Sequence, residues 1–393
     1  IDKLLVVTFT NAAASEMRER VLNAIYKKID KDPENEKLQR QVTLLNKASI
    51  CTIDSFCLDV VRNNFFEIDI APNFRIGDTT EIEILKQDVL EDLFEEKYEA
   101  EDEDFTKLIN TYTSYKDDTP LKELILKIYT YIQSNPFPEK WLNEKTEMFN
   151  LADKLEENFA DTIWGNLLLK QVEEVVKDAE LKLDAEKQNL AKYPELEKYY
   201  LIINDDIEQL EMLRINLNSW DKAYEIASNI KFKTWVTDKK ITLEAKDIAK
   251  SARDTVKANL KKVTEKILIF NSKEANEDIN DMYSVLKKLE NIIIEFGQKF
   301  EKRKKDKNIV DFSDVEHFAL KILLNEDGTP SEIAKKYQEK YEEIAIDEYQ
   351  DSNLVQEYIL TSISRGNNIF MVGDVKQSIY KFRQARPDLF LEK

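Results

Sequence analysis

Two kinds of apolar pattern alternate along this chain. Continuous runs occur in LLVVTFT from Leu4, ASICTID from Ala48, EEIAI from Glu342 and IFMV from Ile369. Runs of this length predict strands buried on both faces. Between them the spacing turns helical. NAAASEMRERVLNAIYKKI is a strong helix former opening at Asn11 as N-cap, and SFCLDVVRNNFF follows the second strand. Further on, Val315, Phe318, Ala319, Ile322 and Leu323 form an i, i+3, i+4, i+7, i+8 stripe, with Ser313-x-x-Glu316 as its capping box. Strands alternating with helices predict an α/β fold with a parallel sheet.

The middle of the chain differs. From Thr80, where Thr80-x-x-Glu83 reads as a capping box, Ile82, Leu85, Val89 and Leu93 keep helical spacing. Residues 81–300 hold only two glycines, Gly165 and Gly297, and their prolines cluster at Pro136 and Pro138. Three regions are therefore expected: 1–80 and 301–393 as two parts of one α/β domain, and 81–300 as a helical insertion.

Charge sharpens that division. The chain of 393 residues carries a net charge of −19. Residues 81–300 contain 32 basic and 47 acidic residues, against 11 and 12 in 1–80 and 15 and 18 in 301–393. Global acidity disfavours nonspecific adhesion to nucleic acid, while the near-neutral flanks leave room for a local basic groove. The basic run Lys299, Lys302, Arg303, Lys304, Lys305, Lys307 reads as a solvated helix face. No apolar stretch reaches the roughly 20 residues that span a bilayer, and no secretory signal precedes Leu4. Cys51 and Cys57 are the only cysteines and His317 the only histidine, too few for a structural zinc site and consistent with a reducing cytosol. His317 reads as a surface or boundary residue.

The candidate chemistry sits where the runs end. Asp347-Glu348 after Ile344-Ala345-Ile346 has the form of a strand-end acidic pair, in which one carboxylate holds Mg²⁺ through water and the next orients or deprotonates a water. Gly373-Asp374-x-Lys376-Gln377 follows the next strand, where Gln377 can bond a phosphate or a water as a neutral group. In open α/β sheets ligands bind beyond the carboxyl ends of the strands, so Asp347, Glu348, Asp374 and Gln377 point to one phosphate-and-metal site. The first strand ends in Thr8-Phe9-Thr10-Asn11, where an exposed Phe can stack a base beside hydroxyl and amide groups.

TFTNAAASEMRERV, TIDSFC, IVDFSDVEHFAL, IDEYQDSN and VGDVKQSIYKFR stand in the order found in superfamily 1 helicases of the UvrD/Rep type. Within them the chain most resembles the AddA-type helicase/nuclease subunits of bacterial double-strand break repair. The resemblance covers roughly residues 1–80 and 301–393 and implies a RecA-like domain of the P-loop NTPase class, with ATP and Mg²⁺ as cofactors. By that resemblance Asp347 is the Mg²⁺-associated carboxylate, Glu348 the catalytic base and Gln377 the γ-phosphate sensor. Thr8, Phe9 and Asn11 resemble the first single-strand contact motif and Ser55 the second, while Tyr380 and Phe382 stand where relatives stack on bases. Phe382 replaces a common Trp, and Asp54 replaces a common His and is given no DNA contact. Implied partners are single-stranded and duplex DNA and an AddB-like second subunit, in a bacterial cytoplasm near the nucleoid.

No GxxxxGK[ST] phosphate loop occurs in the 393 residues. Ile1 opens the chain just before an interior-type strand, and the start reads as cut from something longer. The sheet is therefore expected to be incomplete, lacking the phosphate-loop unit, and the polypeptide alone to be inactive as an ATPase. Alternative readings are an ATP-independent module that binds DNA or a partner, and a UvrD/Rep-like helicase without nuclease.

Overall fold

The computed structural model describes residues 1–68, 70–113, 117–236, 238, 243–378 and 384–393. Its strands are β1 (Leu4–Thr8), β2 (Ser49–Thr52), β3 (Arg75–Ile76), β4 (Ile309–Val310), β5 (Glu343–Ile346) and β6 (Ile369–Met371). Four of them build one parallel sheet in the order β2-β1-β5-β6, and β3 pairs with β4 separately. Val7 lies level with Cys51 on one side and Ile346 on the other, and Ile346 is level with Met371.

Side chains alternate across the sheet, as the period of two requires. Leu5, Val7, Ile344 and Ile346 enter a core with helices Ile53–Asn63, Phe312–Leu323 and Leu354–Ser362. Val6 and Ile50 pack on the other face against Ala14 of Asn11–Ile29 and Leu45 of Glu36–Leu45. Each fully buried aliphatic side chain contributes about 1.5–3 kcal/mol. β6 departs from the expected double-sided burial: Ile369 and Met371 touch the first core, but Phe370 is 66% exposed. It stands on the edge strand, on the face shared with Ala345, where no described helix covers it.

The connections wind in two directions. β1 runs to β2 through Asn11–Ile29 and Glu36–Leu45, while β5 runs to β6 through Leu354–Ser362 on the opposite face. The strand order thus reverses between β1 and β5, which opens a crevice at their carboxyl ends.

The helix caps correct three sequence readings. Thr10, not Asn11, caps Asn11–Ile29, its hydroxyl accepting from the Ala13 N–H. Asp78 rather than Thr80 caps Thr79–Glu99, and the capping box of Phe312–Leu323 is Asp311 with Asp314, not Ser313 with Glu316. In each case the true cap keeps extended backbone just ahead of the first turn, whereas the expected residue already lies inside the helix. The predicted stripes hold: Ile82, Leu85, Val89 and Leu93 are buried, as are Val315, Ala319, Ile322 and Leu323.

By contacts the chain forms two compact units. One comprises residues 1–144 and 288–393 and contains the sheet. Within it the basic run is not uniformly solvated. Lys299 pairs with Glu96 and Arg303 with Asp92 at the surface, but Lys304 is only 2% exposed. Its ammonium lies 2.8 Å from Asp311 and 2.5 Å from Asp314, and 4.2 Å from the centre of the Phe300 ring. Burial and then the neighbouring Asp311 push the Asp314 carboxyl up to about 6, against the pull of Lys304. A cation was needed there because the capping box brings two carboxylates together out of water.

The other unit, residues 145–287, is helical throughout its described residues. Helices Ile163–Leu190, Glu197–Ile215 and Glu244–Lys266 share a core that includes Val172, Val176, Tyr199, Ile203, Val256 and Leu260. Across this core Arg253 and Asp206 form a buried ion pair, and Arg253 also donates to the Lys233 carbonyl at 2.8 Å.

Candidate functional site at the carboxyl ends of the strands

Beyond Ile346, the Asp347 N–H donates to the Val7 carbonyl at 2.9 Å, which draws the end of β5 against the end of β1. The Asp347 side chain is half-buried and accepts from the Glu348 N–H at 3.1 Å. Glu348 then turns the chain with φ 54° and ψ 39°. A non-glycine residue held left-handed costs about 1–2 kcal/mol, so the surrounding contacts must enforce it. They do. Tyr349 is driven into the core, its hydroxyl donating to Glu357 and its N–H to the Val372 carbonyl at 3.0 Å. The phenol is pushed far above its ordinary value, first by burial and then by Glu357. Glu348 itself is left exposed at the crevice.

β6 ends at Gly373-Asp374. A Cβ on Gly373 would fall 2.2 Å from Gln350 Oε1, so only glycine lets the two turns approach. Gln350 is 1% exposed and accepts from the Asp374 N–H at 3.0 Å. Its Nε2 donates to Glu348 Oε2 at 2.7 Å and is 3.4 Å from Asp351 Oδ2. The Asp374 carboxylate in turn accepts from Gln377 Nε2 and from the Lys376 N–H, each at 3.0 Å. Gln377, Asp374, Gln350 and Glu348 are therefore joined in one run of hydrogen bonds across neighbouring strand ends, with Asp347 adjacent in sequence. Sequence reasoning missed Gln350. Its one signal is an amide two residues after the acidic pair, and only burial between two turns gives it weight.

The other predicted residues have varied settings. Thr8 is 1% exposed and donates to the Thr10 carbonyl at 3.1 Å, shaping the turn. Phe9 is half-buried and lines a cavity of about 560 Å³ with Asp54, Phe312, Asn353 and Gln384. Asn11 is exposed in the first helical turn. Ser55 lies in the first turn of Ile53–Asn63, 2.9 Å from the capping Thr52 hydroxyl. Tyr380 and Phe382 lie outside the described residues. His317 is a boundary residue whose Nε2 is 2.9 Å from the Gln133 carbonyl.

Among the described residues no three His, Cys, Asp or Glu side chains cluster to hold a metal ion. A lone, half-exposed carboxylate at Asp347 suits Mg²⁺, which keeps several waters and binds through one or two carboxylates plus phosphate.

A parallel sheet with acidic and amide groups gathered beyond its carboxyl ends at a switch point has the layout of the nucleotide-binding α/β class. The UvrD/REP helicase N-terminal domain family matches residues 1–393, and the chain belongs to that family, which implies a RecA-like fold. It is also similar to bacterial proteins named as the A subunit of an ATP-dependent helicase/nuclease. The identity is 43% over 407 residues with that of Acetivibrio thermocellus, 43% over 414 with that of Clostridium acetobutylicum and 42% over 408 with that of Clostridioides difficile. These alignments cover 100% of this chain and 32%, 33% and 32% of the respective relatives. The chain thus spans about a third of the length of the curated relatives it matches. Among the described residues no helix is long and apolar enough to cross a membrane.

Proposed function

We propose that this chain is the nucleotide-handling and single-strand-gripping part of an ATP-dependent DNA helicase/nuclease that works in double-strand break repair. The observation that carries the reading is the hydrogen-bonded run from Gln377 to Glu348 beside Asp347. In this reading Asp347 holds Mg²⁺ through water, and the bound ion neutralises charge on the phosphates of ATP. Glu348, exposed and held at Oε2 by Gln350, orients the attacking water and takes its proton on the carboxylate. Gln377 senses the γ-phosphate, and Asp374 ties it to the same network.

DNA is gripped next to this site. Phe9 offers a base-stacking face in the cavity beside Asn353 and Gln384, with Thr8 shaping its turn and Asn11 and Ser55 near the backbone path. Tyr380 and Phe382 complete the aromatic set by family resemblance. Base stacking on an aromatic side chain contributes about 1–3 kcal/mol per base. Closure and reopening around ATP move these aromatics along unpaired DNA. Residues 81–300 are read as a helical insertion into the RecA-like domain. The relatives carry the name of one subunit among others, which implies a second subunit of AddB type.

The 393 residues contain no GxxxxGK[ST] cradle for the phosphates. Phosphoryl transfer rests on positioning and charge stabilisation, so this polypeptide by itself turns over ATP far more slowly than the full-length protein. The decisive experiment is Glu348→Gln in the full-length protein. Single-strand-stimulated ATP hydrolysis falls by about 10²–10⁴-fold while nucleotide binding persists. Turnover close to that of the parent would overturn the reading.

A further inference from the structure

We propose that Gln350 is a positioning residue that locks the Glu348 carboxylate to the Gly373-Asp374 turn, so that a displacement at Gln377 reaches Glu348. The inference rests on the reading of Glu348 as the base.

The amide of Gln350 has one possible orientation. Oε1 faces the Asp374 N–H, while Nε2 faces Glu348 Oε2 and, at 3.4 Å, Asp351 Oδ2. Reversing the amide would set an N–H against an N–H and an oxygen against two carboxylates. Both of its ends are therefore satisfied, and at 1% exposure water cannot compete for them. Gly373 removes the one atom that would separate the turns, since a Cβ there would lie 2.2 Å from Oε1. Glu348, by contrast, is exposed and sits on a left-handed residue. Left alone, a glutamate of that kind samples many rotamers, and Gln350 selects one of them. The other end of the run is equally built: Asp374 holds Gln377 Nε2, and Asp351 accepts from the Ser378 hydroxyl at 3.2 Å. Gln350 is the single side chain, among the described residues, that bonds both the Glu348 carboxylate and the Asp374 backbone.

The chemistry allows one arm to be cut at a time. Gln350→Glu keeps an oxygen for the Asp374 N–H but removes the donor to Glu348. In the full-length protein, kcat for single-strand-stimulated ATP hydrolysis falls on the order of 10- to 100-fold, while KM for ATP stays within about twofold because ground-state binding is untouched. Gly373→Ala presses on Oε1 from the other side and gives the same split, so the test survives if either variant folds poorly. The reciprocal pair Glu348→Gln with Gln350→Glu restores the bond with donor and acceptor exchanged. It recovers the melting temperature lost in Gln350→Glu without recovering hydrolysis. Unchanged kcat in Gln350→Glu overturns the proposal. So does a loss of kcat that tracks KM and melting temperature, which marks a merely structural residue. Glu348→Gln run in parallel separates the two levels: if it hydrolyses ATP normally, the functional reading fails, and if it is dead while Gln350→Glu is normal, only this inference fails.

Discussion

Two polar networks in this molecule use the same chemistry and come to opposite ends. In the helical unit, Arg253 and Asp206 meet inside the core, and the guanidinium also reaches the Lys233 carbonyl and lies 5.5 Å and 5.7 Å from the Phe232 and Trp235 ring centres. Every strong group there is answered by the protein itself. Burial raises the Asp206 carboxyl and Arg253 pulls it back, a balance that serves packing alone. At the sheet ends the middle of the network is equally buried, at Gln350, but both termini, Glu348 and Gln377, face solvent. The strained backbone sits at the open network, on Glu348. A closed network pins helices, whereas an open one presents groups to a ligand and spends conformational energy to aim them.

The contrast can be broken at several points. Asp206→Ala leaves Arg253 buried and charged without its partner, which destabilises the chain by about 3–5 kcal/mol in chemical denaturation. In the full-length protein the same change leaves kcat per folded molecule at the parent value. Glu348→Gln does the reverse, abolishing hydrolysis with little change in melting. If Asp206→Ala lowered kcat per folded molecule, the two networks would not be separate in function.

A smaller effect is expected at Lys304, where a closed network adjoins the helix that carries Phe312 into the cavity. Lys304→Met removes the cation from Asp311 and Asp314, with a loss on the order of 2–3 kcal/mol at pH 7. Asp314 already holds its proton more tightly in the folded chain, with its value raised from 3.8 to about 6. The folded state therefore gains stability relative to the unfolded one as pH falls through 6 toward 4. Lys304→Met should accordingly lose less at pH 5 than at pH 7, measured by denaturation at both. Smallest is Thr10→Ala, which deletes the cap of Asn11–Ile29 and costs about 1 kcal/mol in the same measurement.

Much of the sheet was legible because apolar runs state burial directly. Leu4–Thr8 and Glu343–Ile346 form where the runs lie, and Asp347 and Glu348 follow because a strand has to end in residues that tolerate water. The helical stripes were equally plain. Caps were less so, since Thr10 and Asn11, or Asp311 and Ser313, are all good capping residues and differ only in which one keeps extended backbone. Lys304 reads as one of a solvated set, because nothing local distinguishes it from Lys302 or Lys305. Phe370 reads as an interior residue, and no pattern in IFMV tells an edge strand from a central one.

Local pattern determined the element types, the parallel α/β class and the residues delivered to the strand ends, because periodicity and chain polarity act over a few residues at a time. Tertiary structure decided which strand ends became neighbours, that Gln350 bridges two turns, and which cation in a basic run is buried. Those outcomes depend on contacts between residues far apart in the chain, such as Leu5 level with Ile344, and hydrogen bonds and ion pairs of this kind acquire their strength only once water has been excluded around them.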